Sequence, residues 1–157
     1  MRVLIAEHDH VRYADLLHQA APHLDVLTSD DSAQLARLAP QCPVWLGQPD
    51  LLASLLRQGH RPHWMQSTWA GITPLLADGL PRDYRLTRAV GIFGQVMAEY
   101  MLTYMLVHER DVLARLVSQV ERRWDGRPGN SLEGRKVLIV GTGDIGQRVA
   151  EFLLPFG

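Results

Sequence analysis

The sequence contains little of several features that assign a function on their own. Among its 157 residues Cys42 is the only cysteine, so no internal disulfide can form, as is usual in a reducing cytoplasm. Lysine and arginine total 16 against 17 for aspartate and glutamate, so no excess charge favours nucleic acid or an anionic membrane. The apolar start, Met1–Ala6, is too short for a signal peptide, and no run approaches the ~20 apolar residues of a membrane span. We therefore expect a cytoplasmic protein that binds neither nucleic acid nor membrane.

Arrangements of catalytic or metal-binding side chains are also scarce. No Ser/His/Asp or CxxC pattern stands out, and His8-x-His10 has no third ligand nearby, so no metal site is predicted. Glu7 and Asp9 superficially resemble the acidic pair of a receiver domain. Such a domain also needs an aspartate at the end of its third strand, where this chain has Leu46-Gly47. A receiver is therefore an alternative with little support.

Up to about residue 90, short apolar segments alternate with amphipathic ones. The apolar segments predict strands at Arg2–Ala6, Leu24–Thr28, Val44–Leu46, Trp64–Ser67 and Tyr84–Thr87. Helical patterns lie between them at Val11–Ala21, Ser32–Ala39, Leu51–Arg57 and, briefly, Pro74–Ala77. This alternation implies right-handed crossovers and a mainly parallel sheet covered on both faces. The predicted fold class is α/β.

The alternation of short apolar and amphipathic segments ends at Gly94. Residues 95–123 contain neither glycine nor proline, which predicts one helix of about 30 residues. Its first half is apolar nearly all round and its second half is amphipathic, so the first half needs to be enclosed by protein. Residues 125–131 are rich in turn formers and predict a loop, which is the best candidate for a domain boundary.

A glycine motif follows this loop. Lys136–Val140 predicts a buried strand, Gly141-x-Gly143-x-x-Gly146 a turn, and Gln147–Leu154 a helix. In a dinucleotide site the first glycine allows the tight turn, the second lets a pyrophosphate approach, and the third lets the helix pack on the strand. The helix N-terminus then offers free N–H groups to the phosphates. The alternative is a tight turn in an unrelated α/β domain.

Several parts of a hydride-transfer site are missing from the sequence. An acidic partner for the ribose is expected about 20 residues after the turn, but the chain ends at Gly157, so NAD and NADP cannot be told apart. A general base, commonly histidine, is also required. All seven histidines precede the glycine motif: His8, His10, His18, His23, His60, His63 and His108. His8 and His10 follow the first strand and could line a pocket.

Taken in order, the segments of this chain resemble a known family. The segments are Gln66–Ile72, Thr87–Gly91, Met97–Tyr100, Trp124, Leu132–Gly146 and Pro155–Gly157. They resemble the D-isomer-specific 2-hydroxyacid dehydrogenases, most closely the glyoxylate/hydroxypyruvate reductase branch. The resemblance implies a flavodoxin-like substrate-binding domain over residues 1–92, a long linking helix over 93–124, and the start of a Rossmann dinucleotide-binding domain over 132–157.

The same resemblance assigns roles to individual residues. Ala70 and Gly71 match the loop whose backbone amides hold the substrate carboxylate, and Trp45 resembles a pocket residue of the reductase branch. The residues that match the cofactor-phosphate turn are Gly141, Gly143, Asp144, Ile145 and Gly146. For Trp45 and Trp69 a place in the hydrophobic core is an equally good interpretation.

The family's catalytic arginine, glutamate and histidine belong to its later part, so no catalytic residue is assigned in this chain. We expect the 157 residues alone to be inactive and to hold no NAD or NADP. Apolar residues of the last strand and helix would lack cover, which predicts either a homodimer through the 95–123 helix and the C-terminal βα unit or disorder of that part of the chain. The alternative function is a non-catalytic module of the same fold that binds a carboxylate or dimerises.

Overall fold

The computed structural model describes all 157 residues, which form two compact units, residues 1–89 and 90–157. The strands of the first unit are β1 Arg2–Ala6, β2 Asp25–Ser29, β3 Val44–Gly47, β4 Trp64–Ser67 and β5 Arg85–Thr87. Its helices are α1 His10–Ala20, α2 Ser32–Leu38 and α3 Pro49–Arg57, with 3₁₀ turns at Ala39–Gln41 and Thr73–Leu76. Every strand predicted for this unit is present, and the predicted helical segment near Pro74 is a 3₁₀ turn.

The strands of the first unit form one parallel sheet in the order β2-β1-β3-β4-β5. This is the flavodoxin-like order, so the predicted α/β class is confirmed. The chain winds first to one side of β1 and then to the other, which opens a crevice outside the carboxyl ends of β1 and β3. Ligands of doubly wound sheets usually bind in that crevice.

The main core cluster of the first unit lies on one face of the central strands. Leu4, Trp45 and Met65, one from each of β1, β3 and β4, have no exposed surface. They pack with the apolar side of α3, whose Leu52 and Leu55 are also buried. Burying each such side chain contributes roughly 1.5–3 kcal/mol, so this cluster is a large part of what holds the unit together.

The second unit contains three helices, α4 Gly94–Glu109, α5 Val112–Val120 and α6 Asp144–Leu153, and a 3₁₀ turn at Leu154–Phe156. The prediction of one helix through this region is wrong, because the chain leaves the helical path at Asp111, whose φ is 50°. Aspartate tolerates this left-handed conformation better than most residues do. The Arg115 Nε–H donates to the free carbonyl of Arg110 at 3.1 Å, so the carbonyl at the break is satisfied.

The predicted strand Lys136–Val140 is also not formed as a strand. The segment has no neighbouring strand in the chain and therefore no ladder of inter-strand hydrogen bonds. Leu138 is 88% exposed and Val140 92% exposed. The apolar sequence pattern shows that these side chains suit a buried strand. A strand also needs hydrogen bonds to a neighbouring strand, which the pattern of one segment cannot predict.

The helices α4 and α6 of the second unit pack closely at one point. A Cβ atom on Gly94 would lie 3.2 Å from the Cβ of Arg148, so the glycine lets the two helices approach. Arg148 also donates from Nη2 to the side-chain oxygen of Gln95 at 2.8 Å. None of the helices is both long enough and apolar enough to cross a membrane.

Candidate functional site

The carboxyl ends of the five parallel strands bring polar side chains to one edge of the first unit. Glu7 follows β1, Asp30 follows β2, Gln48 follows β3, Thr68 follows β4 and Arg88 follows β5. Since parallel strands end at the same edge, residues far apart in sequence become neighbours there. This edge includes the crevice at β1 and β3.

A buried carboxylate organises the middle of this edge. Glu7 is 7% exposed, and its Oε2 accepts a 2.6 Å hydrogen bond from the Oγ1–H of Thr68. Its Oε1 accepts from the backbone N–H of His8 at 3.1 Å. A buried carboxylate is costly unless both oxygens are hydrogen-bonded, and here both are. Glu7 therefore links the segment after β1 to the loop after β4.

The two histidines after β1 lie on either side of Asp30. His8 Nδ1 and His10 Nε2 are each 3.8 Å from a carboxylate oxygen of Asp30, too long for direct hydrogen bonds. His8 Nε2 lies 3.2 Å from the side-chain nitrogen of Gln48. No group of three or more potential ligand side chains in the chain could hold a metal ion.

The loop that should hold the substrate carboxylate follows β4. The Ser67 hydroxyl accepts from Trp69 N–H at 3.1 Å and donates to the Trp69 carbonyl at 2.9 Å, which forms a tight local turn. Arg88 donates from Nη1 to the Ala70 carbonyl at 2.6 Å. Gly71 is exposed, with no atom within 4 Å of where a Cβ would stand. The loop backbone at Gly71 is thus open to solvent.

The two tryptophans named from the sequence have different surroundings. Trp45 is fully buried in the core cluster, and its Nε1–H donates to the Cys42 carbonyl at 2.9 Å. The structure thus favours the core interpretation of Trp45, because no face of the indole reaches solvent. Trp69 is 54% exposed, so it lies at the surface, within the loop after β4, rather than in the core.

The three glycines of the turn in the second unit have different surroundings. Gly141 has a φ of 100°, a conformation that other residues rarely adopt. A Cβ on Gly146 would lie 2.0 Å from the Gly141 carbonyl oxygen, so the helix can approach the turn only without a side chain. Gly143 has no atom within 4 Å of its Cβ position and stands at the N-cap of α6. An anion can therefore approach the backbone at Gly143.

The first turn of α6 offers unsatisfied backbone donors to such an anion. Asp144 and Ile145 are exposed directly after Gly143, and α6 has no side-chain cap at its N-terminus. Orphan N–H groups and the helix dipole favour a negatively charged group at this position. The exposed Asp144 carboxylate gains from the same dipole.

Three residues at the strand edge of the first unit were not singled out as site residues from the sequence: Gln48, Thr68 and Arg88. Each forms a hydrogen bond to a neighbour from a different part of the chain. Their position directly after a strand was available from the sequence. Which strands stand side by side was not, because the pairing of β1 with β3 and of β3 with β4 is a property of the folded sheet.

Comparisons with known proteins agree with this geometry. Residues 102–157 match the profile of the D-isomer specific 2-hydroxyacid dehydrogenase, NAD binding domain. An uncharacterised protein of the mprR 3′ region of Streptomyces coelicolor is 35% identical over 101 residues, which are 64% of this chain and 36% of that protein.

Solved structures extend the likeness to the whole chain. A D-isomer specific 2-hydroxyacid dehydrogenase family protein from Aeromonas salmonicida is 35% identical with a TM-score of 0.91. That match covers 99% of this chain and 51% of the Aeromonas chain. An NADPH-dependent glyoxylate/hydroxypyruvate reductase from Sinorhizobium meliloti, solved with NADP and sulfate, shares the fold at 22% identity and a TM-score of 0.77. That match covers 99% of this chain and 50% of the reductase.

The chain thus spans about half the length of the solved structures it matches. Its sheet order, its glycine turn and its likeness over nearly the full length to the Aeromonas protein all point the same way. The chain belongs to the D-isomer-specific 2-hydroxyacid dehydrogenase family.

Proposed function

We propose that these 157 residues supply the substrate-carboxylate loop and the first phosphate-binding turn of an NAD(P)-dependent 2-hydroxyacid dehydrogenase. Ala70 and Gly71 bind the carboxylate of the substrate through backbone N–H groups. Gly141, Gly143 and Gly146, with Asp144 and Ile145, receive the cofactor phosphates. The observation that carries the proposal is the turn itself: Gly146 has no room for a side chain, while Gly143 is open.

The substrate class follows from the resemblance to the reductase branch. We propose a small 2-oxo acid, glyoxylate or hydroxypyruvate, which accepts hydride at its carbonyl carbon while its carboxylate is held by the loop. Two relatives at 22% identity, the Sinorhizobium reductase and a probable 2-hydroxyacid dehydrogenase from Rhizobium etli, were solved with NADP. Their fold supports NAD or NADP as the cofactor class, and the single buried thiol of Cys42 suits the proposed cytoplasmic location.

We propose that the 157 residues alone do not catalyse the reaction. Hydride addition to the carbonyl carbon needs a general acid that gives a proton to the carbonyl oxygen, a group that acts as the base in the reverse oxidation, and no such group is assigned among these residues. Half of a dinucleotide site also forfeits most of the contacts that give the cofactor its affinity. We therefore expect no NADPH oxidation with glyoxylate from this chain, and no tight binding of NADH or NADPH.

Two enzyme measurements test the proposal. Absorbance at the nicotinamide band follows glyoxylate reduction by the 157 residues, and by the same residues fused to the part of the Aeromonas protein that this chain does not match. Activity only in the fusion supports the proposal. Oxidation of NADH or NADPH by the 157 residues themselves, in proportion to their concentration, contradicts the claim that they are inactive. An inactive but folded fusion counts against the assigned reaction.

A second candidate function is assembly of two copies through the second unit. Its helices α4 and α5 carry a series of apolar side chains that are at least half exposed: Val96, Tyr100, Tyr104, Leu113, Leu116, Val117 and Val120. Exposed apolar surface of this extent favours a protein interface. We propose a homodimer through residues 95–123 and the C-terminal βα unit. Light scattering should then give twice the 17.7 kDa chain mass, and a monomer at high concentration excludes it.

A further inference from the structure

We propose that Glu7 is a positioning residue, whose buried carboxylate holds the loop Thr68–Gly71 in the conformation that binds a substrate carboxylate. This inference rests on the proposed function of that loop. Glu7 has no role in the chemistry itself, since it acts through Thr68.

The contact joins two segments that are 61 residues apart in sequence. The Thr68 hydroxyl is 2.6 Å from Glu7 Oε2, a short distance for an O–H donor to a carboxylate, and such charge-assisted bonds are the strong ones. Thr68 is also fixed by its backbone N–H, which donates to the Gly47 carbonyl at 2.9 Å. The first residue of the loop is therefore held from both its side chain and its backbone.

A carboxylate gives both groups around Glu7 a charge-assisted hydrogen bond. Its two oxygens face two donors, the Thr68 hydroxyl and the His8 backbone N–H. Glutamine has the same size but a single acceptor oxygen, so the Thr68 hydroxyl would have to turn and accept from its NH₂ group. That exchange replaces a charge-assisted hydrogen bond by a weaker neutral one, whereas the bond is lost altogether when residue 68 has no hydroxyl.

The close approach of the three strand ends depends on Gly47. A Cβ there would lie 2.1 Å from the Ala6 carbonyl oxygen, which itself accepts from Gln48 N–H at 3.0 Å. The absence of a side chain lets the segment after β1 lie against β3, within reach of the loop after β4. On the far side of the loop, Arg88 holds the Ala70 carbonyl with an exposed side chain. Glu7 is the buried anchor of the two.

Four variants test the role: Thr68→Val, Thr68→Ser, Glu7→Gln and Asp9→Asn. Valine removes the hydroxyl at nearly constant shape, serine keeps it, and glutamine removes one acceptor. Asp9→Asn is the charge-matched control, because Asp9 is exposed and its side chain makes no capping bond. The probe is oxamate, an unreactive analogue of a small 2-oxo acid, titrated into the full 157-residue chain while backbone amide shifts are followed by NMR.

We expect the Ala70 and Gly71 amides of the unaltered chain to shift on addition of oxamate. Thr68→Val should weaken that binding about tenfold or more, and Glu7→Gln should weaken it by a smaller factor, because a neutral hydrogen bond replaces a charge-assisted one. Thr68→Ser and Asp9→Asn should stay within about twofold of the unaltered chain. If the chain with Thr68→Val binds oxamate as tightly as the unaltered chain, the positioning role is overturned. The same holds if the chain with Thr68→Ser binds oxamate as weakly as the chain with Thr68→Val.

A measurement without ligand separates this inference from the proposed function. Amide hydrogen exchange at Trp69, whose N–H donates to the Ser67 hydroxyl, should become about tenfold faster with Thr68→Val, while the amides of β1 and β3 keep their rates. If oxamate causes no shift of the Ala70 and Gly71 amides in the unaltered chain, the proposed carboxylate-binding function of the loop is wrong. Amide hydrogen exchange without ligand then decides by itself whether Glu7 holds the loop in place. Unchanged exchange at Trp69 with Thr68→Val shows that it does not.

Discussion

The two units of this chain bury their apolar residues to very different extents. In the first unit Leu4, Leu52 and Met65 have no exposed surface, and every strand has at least one hydrogen-bonded neighbour. In the second unit Ala98 and Val149 are among the few buried apolar residues, while Leu138 and Val140 are almost fully exposed. The comparison teaches that a strand-like sequence forms a strand only where a second strand lies beside it.

The largest expected effect is the difference in unfolding free energy between two leucine-to-alanine variants, one in each unit. Leu52→Ala empties a site with no exposed surface, and such a change costs roughly 2–5 kcal/mol of unfolding free energy. Leu138→Ala trims a side chain that is 88% exposed, so it should change stability by no more than about 0.5 kcal/mol. Urea unfolding of both variants measures the difference. Equal losses would mean that Leu138 is covered in solution, as in a dimer.

A pair of glycines sharpens the comparison at the two candidate sites. Gly47→Ala places a Cβ 2.1 Å from a backbone oxygen, which should cost about 1–3 kcal/mol or more through overpacking. Gly143→Ala meets no atom within 4 Å and should leave stability nearly unchanged. In the fusion with the remainder of the Aeromonas fold, the same Gly143→Ala should raise the KM for NADPH, because the methyl group occupies the path of the phosphates. An unchanged KM counts against the phosphate role.

The sequence predicted most of the first unit because its signals are local. Strands and helices alternate with clear periodicity, and Asp31 caps α2 as its residue type suggests, accepting from Gln34 N–H at 2.8 Å. The turn at the glycines was also predictable, since Gly141 takes a φ of 100° and Gly146 leaves no room for a Cβ. By contrast, the break at Asp111 had no glycine or proline to mark it, so the pattern extended one helix through it.

The contacts of the loop Thr68–Gly71, after β4, were harder to predict for a different reason. The sequence singled out Glu7 only as one of two acidic residues that resemble those of a receiver domain. Thr68 was included only as part of Gln66–Ile72, one of the segments that resemble the family. Their hydrogen bond depends on β1, β3 and β4 lying side by side in that order, with Ala6 paired to Gly47 and Gly47 paired to Ser67. Strand order is decided by the packing of the whole sheet, so no short segment contains it.

A smaller effect concerns pH and the thiol of the first unit. Burial raises the pKa of Cys42, and the nearby Arg2 guanidinium lowers it by a smaller amount. Cys42 ionises more easily once unfolded, where a thiol has a pKa near about 8.5. Its contribution to stability is therefore complete below that pH and is lost as pH rises through the higher folded pKa. Cys42→Ser should flatten this alkaline decline in urea unfolding, and a thiol reagent should react slowly with the folded chain at pH about 8.

The smallest expected effect is at Asp125, in the loop after α5 of the second unit. Hydrogen bonds from the Arg127 guanidinium at 3.0 and 2.7 Å, and from the Arg127 backbone N–H at 3.2 Å, hold the pKa of Asp125 well below its usual range. A carboxylate with a lowered folded pKa stabilises the fold above its unfolded pKa of about 3.9, and that contribution is lost as pH falls through the folded value. The contacts are local, two residues apart, so their loss should free the loop without unfolding the helices.

Asp125→Asn tests this directly, because the amide keeps one acceptor oxygen but loses the charge. We expect the Arg127 amide to exchange several-fold faster at neutral pH, and the acid-induced increase in its exchange to disappear. Exchange in β1 and β3 of the first unit should not change, since the loop belongs to the second unit. If exchange of the β1 and β3 amides increases as much as that of the Arg127 amide, the two units unfold together. The difference between their cores would then produce no difference in local stability.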